Sequence, residues 1–300
     1  MTVSPAGPDN GLDLIGVAFG RGARDPGCAD GPEALRQAGL IDELRRRGVA
    51  ATWRATLMEE PRAADPAEAV ARICRPLAAM TEDMARQGAP VAVIGGDHSI
   101  AIGTWSGVAR ALHGRGPLGL VWIDAHLDRH VPETTPSGAI HGMPLAALFG
   151  FGDPLLTRMA DRYPAVLPWH VCIVGARSYE PEERALLTKL GVRIFFMPEV
   201  RRRGLPAVLD EALAIAATDT VGVGLSIDCD AVDPAEAPGV GSPAAGGLHA
   251  PALIDALSGL RRRTRFLTVE IVEYNPHLDR DGATARLVRD LLVATAGRGG

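Results

Sequence analysis

Three short polar segments of this sequence carry side chains that bind divalent metal ions. Each segment directly follows an apolar run, as expected for a loop that comes after a buried strand. The segments are residues 95–99, 124–128 and 228–230. They supply two histidines and four aspartates, namely His98, Asp124, His126, Asp128, Asp228 and Asp230. Because ligands in an open parallel α/β sheet bind at the carboxyl ends of the strands, the three segments predict one shared pocket.

The number and type of these side chains predict a pair of ions. Six ligands are too many for one closed tetrahedral zinc site, and they fit two bridged divalent ions. Alternate residues of an extended segment point the same way, so Asp124, His126 and Asp128 converge, and Asp228 and Asp230 repeat that geometry. Mixed imidazole and carboxylate ligands suit Mn²⁺, Zn²⁺, Fe²⁺, Ni²⁺ or Co²⁺, and the carboxylate-rich set favours Mn²⁺. Two ions ~3.5–4 Å apart can bridge one water and lower its pKa toward neutrality.

Three further residues are candidates for acid–base or binding roles. His141 ends the long loop that begins at the ligands, which makes it a candidate proton shuttle, although a histidine beside glycine is also often structural. Glu270 and Glu273 place carboxylates at the same edge, near the end of an apolar run. Buried carboxylates need a partner, and a cationic group such as a guanidinium would be one.

The elements that position these residues alternate between strand-like and helix-like segments. Strands are predicted at residues 14–18, 91–94, 118–123, 171–174, 193–197, 221–227 and 266–272. Helices are predicted at residues 32–47, 66–87 with a kink or break at Pro76, 100–112, 181–190, 205–217, 250–260 and 284–295. This alternation predicts an α/β fold with a parallel sheet covered by helices on both sides. The long polar loops 126–141 and 230–248 are expected to be functional.

Composition limits the function classes. No linker interrupts the 300 residues, so we expect a single domain over residues 1–300. The net charge of −5 argues against a nucleic-acid or anionic-membrane partner. No secretory signal is visible, and no apolar run reaches the ~18 residues of a membrane span. The four cysteines lack CxxC spacing, which favours reduced thiols in a cytoplasmic protein.

Five motifs resemble those of a known family, the ureohydrolases, which include arginases and agmatinases. The motifs are residues 95–99 (GGDHS), 124–128 (DAHLD), 141–144 (HGMP), 226–234 (SIDCDAVDP) and 273–276 (EYNP). The chain is more similar to bacterial arginases than to agmatinases. The resemblance implies a three-layer α/β/α sandwich with a mostly parallel sheet of about eight strands. It also implies hydrolysis of a guanidino group to urea and an amine, by a homotrimer or homohexamer.

The resemblance also implies roles for individual residues. It implies two Mn²⁺ ions, one held by His98, Asp124, Asp128 and Asp228 and the other by Asp124, His126, Asp228 and Asp230. In addition, Asp128 would orient the bridging hydroxide and His141 would move protons. Glu273 would bind the guanidinium, close to the hydroxyl of Ser242.

The substrate tail is where the sequence departs from the arginase pattern. Residues 132–138 resemble the arginase loop that binds the α-carboxylate, with Ser137 in that role. However, His130 and Ala139 each stand where arginases have an asparagine, and Glu180 stands where they use an aspartate to bind the α-amino group. L-Arginine, giving L-ornithine and urea, is the favoured substrate. Agmatine, guanidinobutyrate and a hydroxylated arginine are alternatives.

Two other classes of protein are alternatives to a ureohydrolase. A one-zinc deacetylase shares this kind of sheet, but the full carboxylate set with both histidines argues against it. A non-catalytic scaffold is disfavoured because proteins of that kind usually lose a ligand, and all six ligands are present here.

Overall fold

Eight strands form one sheet in which every neighbouring pair is parallel. The computed structural model describes residues 11–59, 65–161 and 164–296. The strands are β1 Gly11–Ala18, β2 Ala50–Met58, β3 Val91–Ile94, β4 Leu118–Ile123, β5 Val171–Ala176, β6 Arg193–Phe196, β7 Gly222–Asp228 and β8 Thr268–Val272. They lie in the order β2-β1-β3-β8-β7-β4-β5-β6. The predicted parallel α/β sheet of about eight strands is therefore confirmed.

Helices cover both faces of this sheet. They are α1 Gly31–Gln37, α2 Leu40–Arg46, α3 Pro66–Gln87, α4 Ala101–Ala111, α5 Pro144–Leu148, α6 Pro154–Thr157, α7 Pro181–Lys189, α8 Met197–Arg203, α9 Leu205–Ala217, α10 Ala250–Arg261 and α11 Ala283–Thr295. Buried side chains of α1, α2, α9, α10 and α11 share one apolar cluster with the sheet, and those of α3, α4 and α5 belong to two others. This arrangement gives the predicted three layers. In the described ranges, no helix has the length and apolarity needed to cross a bilayer.

Several predicted elements differ from the structure. The helix predicted over residues 32–47 is two helices, because Gly39 adopts a φ of 77° between them. α3 continues through Pro76 without a break. Pro76 is exposed, as is Arg72, the residue four positions earlier whose carbonyl loses its helical hydrogen bond there. β2 was not predicted, since it lies at the sheet edge and its partly exposed residues lack the continuous apolar character of the inner strands.

The strand order explains why distant segments meet. The chain passes from β3 to β4 across a gap of two strand positions, and β7 and β8 later fill that gap. The loops after β3, β8, β7, β4 and β5 therefore lie side by side at the carboxyl edge. This is the edge at which open α/β sheets bind ligands.

Candidate active site

His98 is surrounded by three of the predicted carboxylate ligands. It lies in the turn after β3, and its Nδ1 is 3.3 Å from Oδ2 of Asp124 and 3.0 Å from Oδ2 of Asp128. The same nitrogen is 3.2 Å from Oδ2 of Asp228, at the end of β7. All four side chains are almost completely buried. Three strand ends thus place one imidazole nitrogen and three carboxylates around a single point.

His126 forms the second group, and Asp124 belongs to both. The Nδ1 of His126 lies 3.1 Å from Oδ2 of Asp230 and 3.5 Å from Oδ1 of Asp124. The donor atoms of these three residues all lie within 4.8 Å of one another, and the same is true of His98, Asp124 and Asp128. Because the two oxygens of Asp124 face the two histidines, this carboxylate lies between two adjoining candidate metal positions.

The unpartnered polar atoms at this point fit divalent metal ions. In the described part of the chain, Nδ1 of His98 and Oδ2 of Asp128 are buried and lie 3.0 Å apart, but neither makes a well-aligned hydrogen bond. Burying such atoms without a partner is costly, and buried charges are usually paired or coordinated to a metal. Imidazole nitrogen and carboxylate oxygen are also suitable donors for divalent transition metals. The residues present therefore suit the group that the sequence predicts.

Charges in the cluster shift the pKa values of its members in opposite directions. Burial, and then the neighbouring Asp124, raise the pKa of Asp128 to about 7. Burial alone would raise the pKa of Asp124 as well, but the neighbouring imidazoles of His126 and His98 outweigh this effect and lower that pKa. Burial opposes protonation of both histidines, yet the carboxylates around them raise their pKa values. The metal-free cluster therefore holds protons that a bound cation would displace.

A buried hydrogen-bonded chain orients the imidazole of His98. The Oγ of Ser226 donates to Oε2 of Glu270 at 2.8 Å, and Nε1 of Trp105 donates to the same oxygen at 3.1 Å. Because the Ser226 hydroxyl donates its hydrogen bond to Glu270, its oxygen accepts a hydrogen bond from Nε2 of His98 at 2.9 Å. In the neutral imidazole that metal ligation requires, Nδ1 is then the nitrogen without a proton, and it faces the carboxylates. The ring also stacks on Trp122 at 4.1 Å between centroids.

This chain changes the interpretation of Glu270 and adds Ser226 to the site. The Glu270 side chain is completely buried, and burial raises its pKa. Its carboxylate is hydrogen-bonded behind His98, and its predicted contact with substrate stays a prediction. The sequence motifs alone did not predict a functional role for Ser226. Its position two residues before Asp228 on a strand, and hence on the same face, was the available signal.

Glu273 and His141 form a second hydrogen-bonded unit beside the ligands. Oε1 of Glu273 accepts from the backbone N–H of His98 at 2.8 Å and lies 2.9 Å from Nδ1 of His141. Burial opposes protonation of His141, but the charge and hydrogen bond of Glu273 outweigh it and raise the pKa to about 9. The structure thus brings the predicted proton shuttle and the predicted guanidinium-binding carboxylate together.

Two predicted catalytic residues have strained backbones. Asp128 has a φ of 50° and Glu273 a φ of 66°, in the left-handed region that side chains other than glycine rarely adopt. The N–H of Glu273 donates to the carbonyl of Gly96 at 2.8 Å, which ties this conformation to the turn that carries His98. Strain of this kind persists where the surroundings enforce it and clusters at functional sites.

Two of the predicted tail-binding residues contact each other. Nε2 of His130 lies 2.9 Å from Oε2 of Glu180 and 3.3 Å from Oε2 of Glu183. Glu180 is half-exposed and caps α7, where Glu183 completes a capping box. Although the sequence predicted His130 and Glu180 as neighbours of one substrate, it did not predict that they bond to each other or to Glu183.

Two other predicted substrate-binding residues, one for the tail and one near the guanidinium, occupy the two long loops. Ser137 is exposed, and its Oγ accepts from the backbone N–H of Ala139 at 3.1 Å. Ser242 is half-buried in the loop that follows β7. Their predicted contacts with substrate stay predictions.

The fold and the donor groups define a protein with a metal-binding site at the carboxyl edge of a parallel sheet. The model of the arginase family matches residues 10–297. The Bacillus caldovelox arginase is 38% identical over 295 residues, covering 95% of this chain and 98% of the relative. The solved Bacillus subtilis arginase is 34% identical with a TM-score of 0.88, covering 96% of this chain and 99% of that chain. The Entamoeba histolytica arginase, solved in complex with L-ornithine, is 28% identical with a TM-score of 0.88, covering 95% and 98% respectively.

This chain therefore belongs to the arginase family. It is a hydrolase that acts on the guanidino or amidine group of a small molecule.

Proposed function

We propose that this protein is a dinuclear manganese arginase that hydrolyses L-arginine to L-ornithine and urea. The observation that carries the proposal is the pair of donor groups joined by Asp124, with Glu273 and His141 beside them. Relatives that are 35–38% identical over nearly the whole chain are named arginases. The L-ornithine in the Entamoeba histolytica relative is the product that this reaction would release.

The residues that would hold the ions follow from the two donor groups. One ion would be held by His98, Asp124, Asp128 and Asp228, and the other by Asp124, His126, Asp228 and Asp230. Their carboxylate-rich composition favours Mn²⁺. Divalent ions bound here would supply Lewis acidity and lower the pKa of water at the site, which makes hydroxide available near neutral pH.

The remaining steps fall to side chains of the protein. Hydrolysis breaks the bond between the guanidinium carbon and the nitrogen that carries the tail, and that nitrogen must gain a proton to leave as an amine. His141 is protonated at neutral pH, partly exposed and beside the ligands, so it is suited to supply this proton. Glu273 holds His141 in place and provides a negative charge for the guanidinium. Asp128 accepts a hydrogen bond from the attacking water and orients it.

A second candidate function differs only in the substrate tail. Because Glu180 is already bonded to His130, an α-ammonium group would have to share or displace that contact. This observation favours a guanidino substrate without an ammonium group in its tail, such as guanidinobutyrate. Agmatine and a hydroxylated arginine, which keep that ammonium, stay alternatives. The homotrimeric or homohexameric state and the cytoplasmic location stay predictions.

A substrate panel tests the proposal. Urea release by the Mn²⁺-loaded protein would be measured with L-arginine, agmatine, 4-guanidinobutyrate and N-hydroxy-L-arginine. We expect the highest kcat/KM for L-arginine, with analogues that lack an α-group lower by orders of magnitude, because they leave polar groups of the site unpaired. A higher value for another compound would establish the second candidate. No urea from any of the four would reject both.

A further inference from the structure

Arg177 is bonded to the backbone of the loop that follows β7. Its guanidinium nitrogens make six contacts of 2.7–3.4 Å with backbone carbonyl oxygens, and some of its five N–H groups are therefore shared between two acceptors. The acceptors are the carbonyls of Gly175, Asp230, Ala231, Val232 and Ala244. The shortest contacts, both 2.7 Å, are to the carbonyls of Asp230 and Ala244. One side chain thus joins the candidate ligand Asp230 to the far part of the same loop.

Arg177 also connects this loop to the ligands after β4. Its backbone N–H donates to the carbonyl of Ala125 at 2.8 Å. Ala125 in turn donates its N–H to Oδ1 of Asp230 at 3.3 Å. Since Ala125 lies between Asp124 and His126, Arg177 contacts both segments that form the second donor group.

The loop packs closely against the guanidinium of Arg177. A Cβ atom added to Gly247 would lie 2.6 Å from Nη2 of Arg177. Gly247 is held in turn by the carboxylate of Asp233, which accepts from its N–H at 3.0 Å. The loop has therefore little freedom to move while the guanidinium remains in place.

We propose that Arg177 is a positioning residue that sets the second metal position and couples it to the substrate loop. The mechanism is geometric, because the carbonyl and the carboxylate of Asp230 belong to one short, tightly turned segment. Fixing the carbonyl with Arg177 fixes where the carboxylate meets His126. Through Ala244, the same guanidinium holds the part of the loop that contains Ser242. This inference rests on the proposed function, since it assumes that metal binds both donor groups.

Mn²⁺ titration of the metal-free protein tests this role. EPR would measure the concentration of free Mn²⁺ at each step of the titration for the wild type, Arg177→Ala and Arg177→Lys. We expect one of the two ions to bind about 10- to 100-fold more weakly in both variants, as is typical when a residue that orients a ligand is lost. The other ion, held around His98, should bind as in the wild type. Lysine keeps the charge but has one compact donor group, so it cannot reach five carbonyls at once.

Arg201 provides a matched control. It donates to the carbonyl of Gly246 in the same loop at 2.7 Å but has no contact with Asp230. Arg201→Ala should bind both ions with wild-type affinity. In steady-state assays, the Arg177 variants should also show a higher KM as well as a lower kcat, because the loop and the metal position shift together.

The outcomes separate this inference from the proposed function. Two ions bound with wild-type affinity in a folded Arg177→Lys variant would overturn the role of Arg177, even if Arg177→Ala failed to fold. Equal weakening of both ions would also overturn it, because that would indicate a general loss of structure. A wild-type protein that bound no Mn²⁺ and released no urea would instead refute the proposed function.

Discussion

The Nε2 atom of His98 lies 2.9 Å from Oγ of Ser226, and this contact decides which imidazole nitrogen faces the metal position. The Ser226 hydroxyl donates its hydrogen bond to Glu270, so its oxygen accepts a hydrogen bond from His98. The ligand nitrogen is therefore Nδ1. A carboxylate that accepts a hydrogen bond from the second ring nitrogen of a histidine ligand raises the basicity of the ligand and fixes its orientation. Here a serine transmits that effect from Glu270.

Removal of the Ser226 hydroxyl should weaken metal binding. In Ser226→Ala, Nε2 of His98 loses its acceptor, and Glu270 loses one of its donors. We expect Mn²⁺ affinity to fall about 10- to 100-fold, with a matching loss of activity at limiting Mn²⁺ that excess metal restores. Equilibrium titration of the metal-free protein with Mn²⁺ would measure it.

Thr81→Ala is a suitable comparison for Ser226→Ala. Thr81 is a buried hydroxyl of α3 whose hydrogen bonds go to backbone carbonyls of α3 and α4. It should destabilise the fold without changing metal affinity. If Ser226→Ala and Thr81→Ala had the same Mn²⁺ affinity, the orienting role of Ser226 would be excluded.

The contact between His141 and Glu273 should make the stability of the metal-free protein depend on pH. The pKa of His141 is raised to about 9 from the ordinary value of 6.5. Its contribution to stability is then complete below pH 6.5 and is lost as the pH rises through 9. The difference in unfolding free energy between the wild type and His141→Asn should therefore decrease from pH 6 to pH 10. Urea denaturation at the two pH values would measure this difference.

His249 provides the control for this pH effect. It lies 2.8 Å from Glu236 in a comparable pair, but its side chain is 80% exposed, so solvent screens the interaction. Because His249 is the N-cap of α10, where asparagine is also a good cap, His249→Asn should change stability by nearly the same amount at both pH values. A His141→Asn difference that was equal at pH 6 and pH 10 would contradict the proposed coupling to Glu273.

Much of the site was predictable because parallel strands end at one edge. The buried runs before His98, Asp124 and Asp228 mark inner strands, and the side-chain periodicity of an extended chain brings alternate ligands together. The sheet order confirms the shared edge, since β3, β8, β7 and β4 are neighbours.

The contacts that orient those ligands were harder to predict from the sequence. Ser226 and Glu270 meet only because β7 and β8 pair with those two residues in register. Likewise, His130 and Glu180 are 50 residues apart and meet through the placement of two loops. Such contacts depend on tertiary geometry that residue types and spacing do not encode. The absence of a break at Pro76 has a similar cause, because the rest of α3 packs well enough to retain the helix.

Neutralising Glu180 should separate substrates by their tails. In Glu180→Gln, the site loses the negative charge that would face an α-ammonium group. We expect KM for L-arginine to rise about 10- to 100-fold, the usual value of a hydrogen bond to a charged group. 4-Guanidinobutyrate, which has no ammonium group in its tail, should be affected much less. Parallel kinetics with the two substrates would measure this difference.

Glu182→Gln is the comparison for Glu180→Gln. Glu182 is an exposed acidic residue in the first turn of the same helix. Its loss should leave both KM values unchanged. An equal rise in KM for L-arginine and 4-guanidinobutyrate in Glu180→Gln would show that Glu180 does not bind the ammonium of the tail.

The most direct test of the central claim is urea release from L-arginine before and after metal replacement. The protein would be depleted of metal with a chelator, assayed, reloaded with Mn²⁺ and assayed again. We predict no measurable urea from the depleted protein and recovery of activity as two Mn²⁺ ions bind per chain. Equal rates of urea release with and without metal, or no urea after two ions had bound, would contradict the proposal.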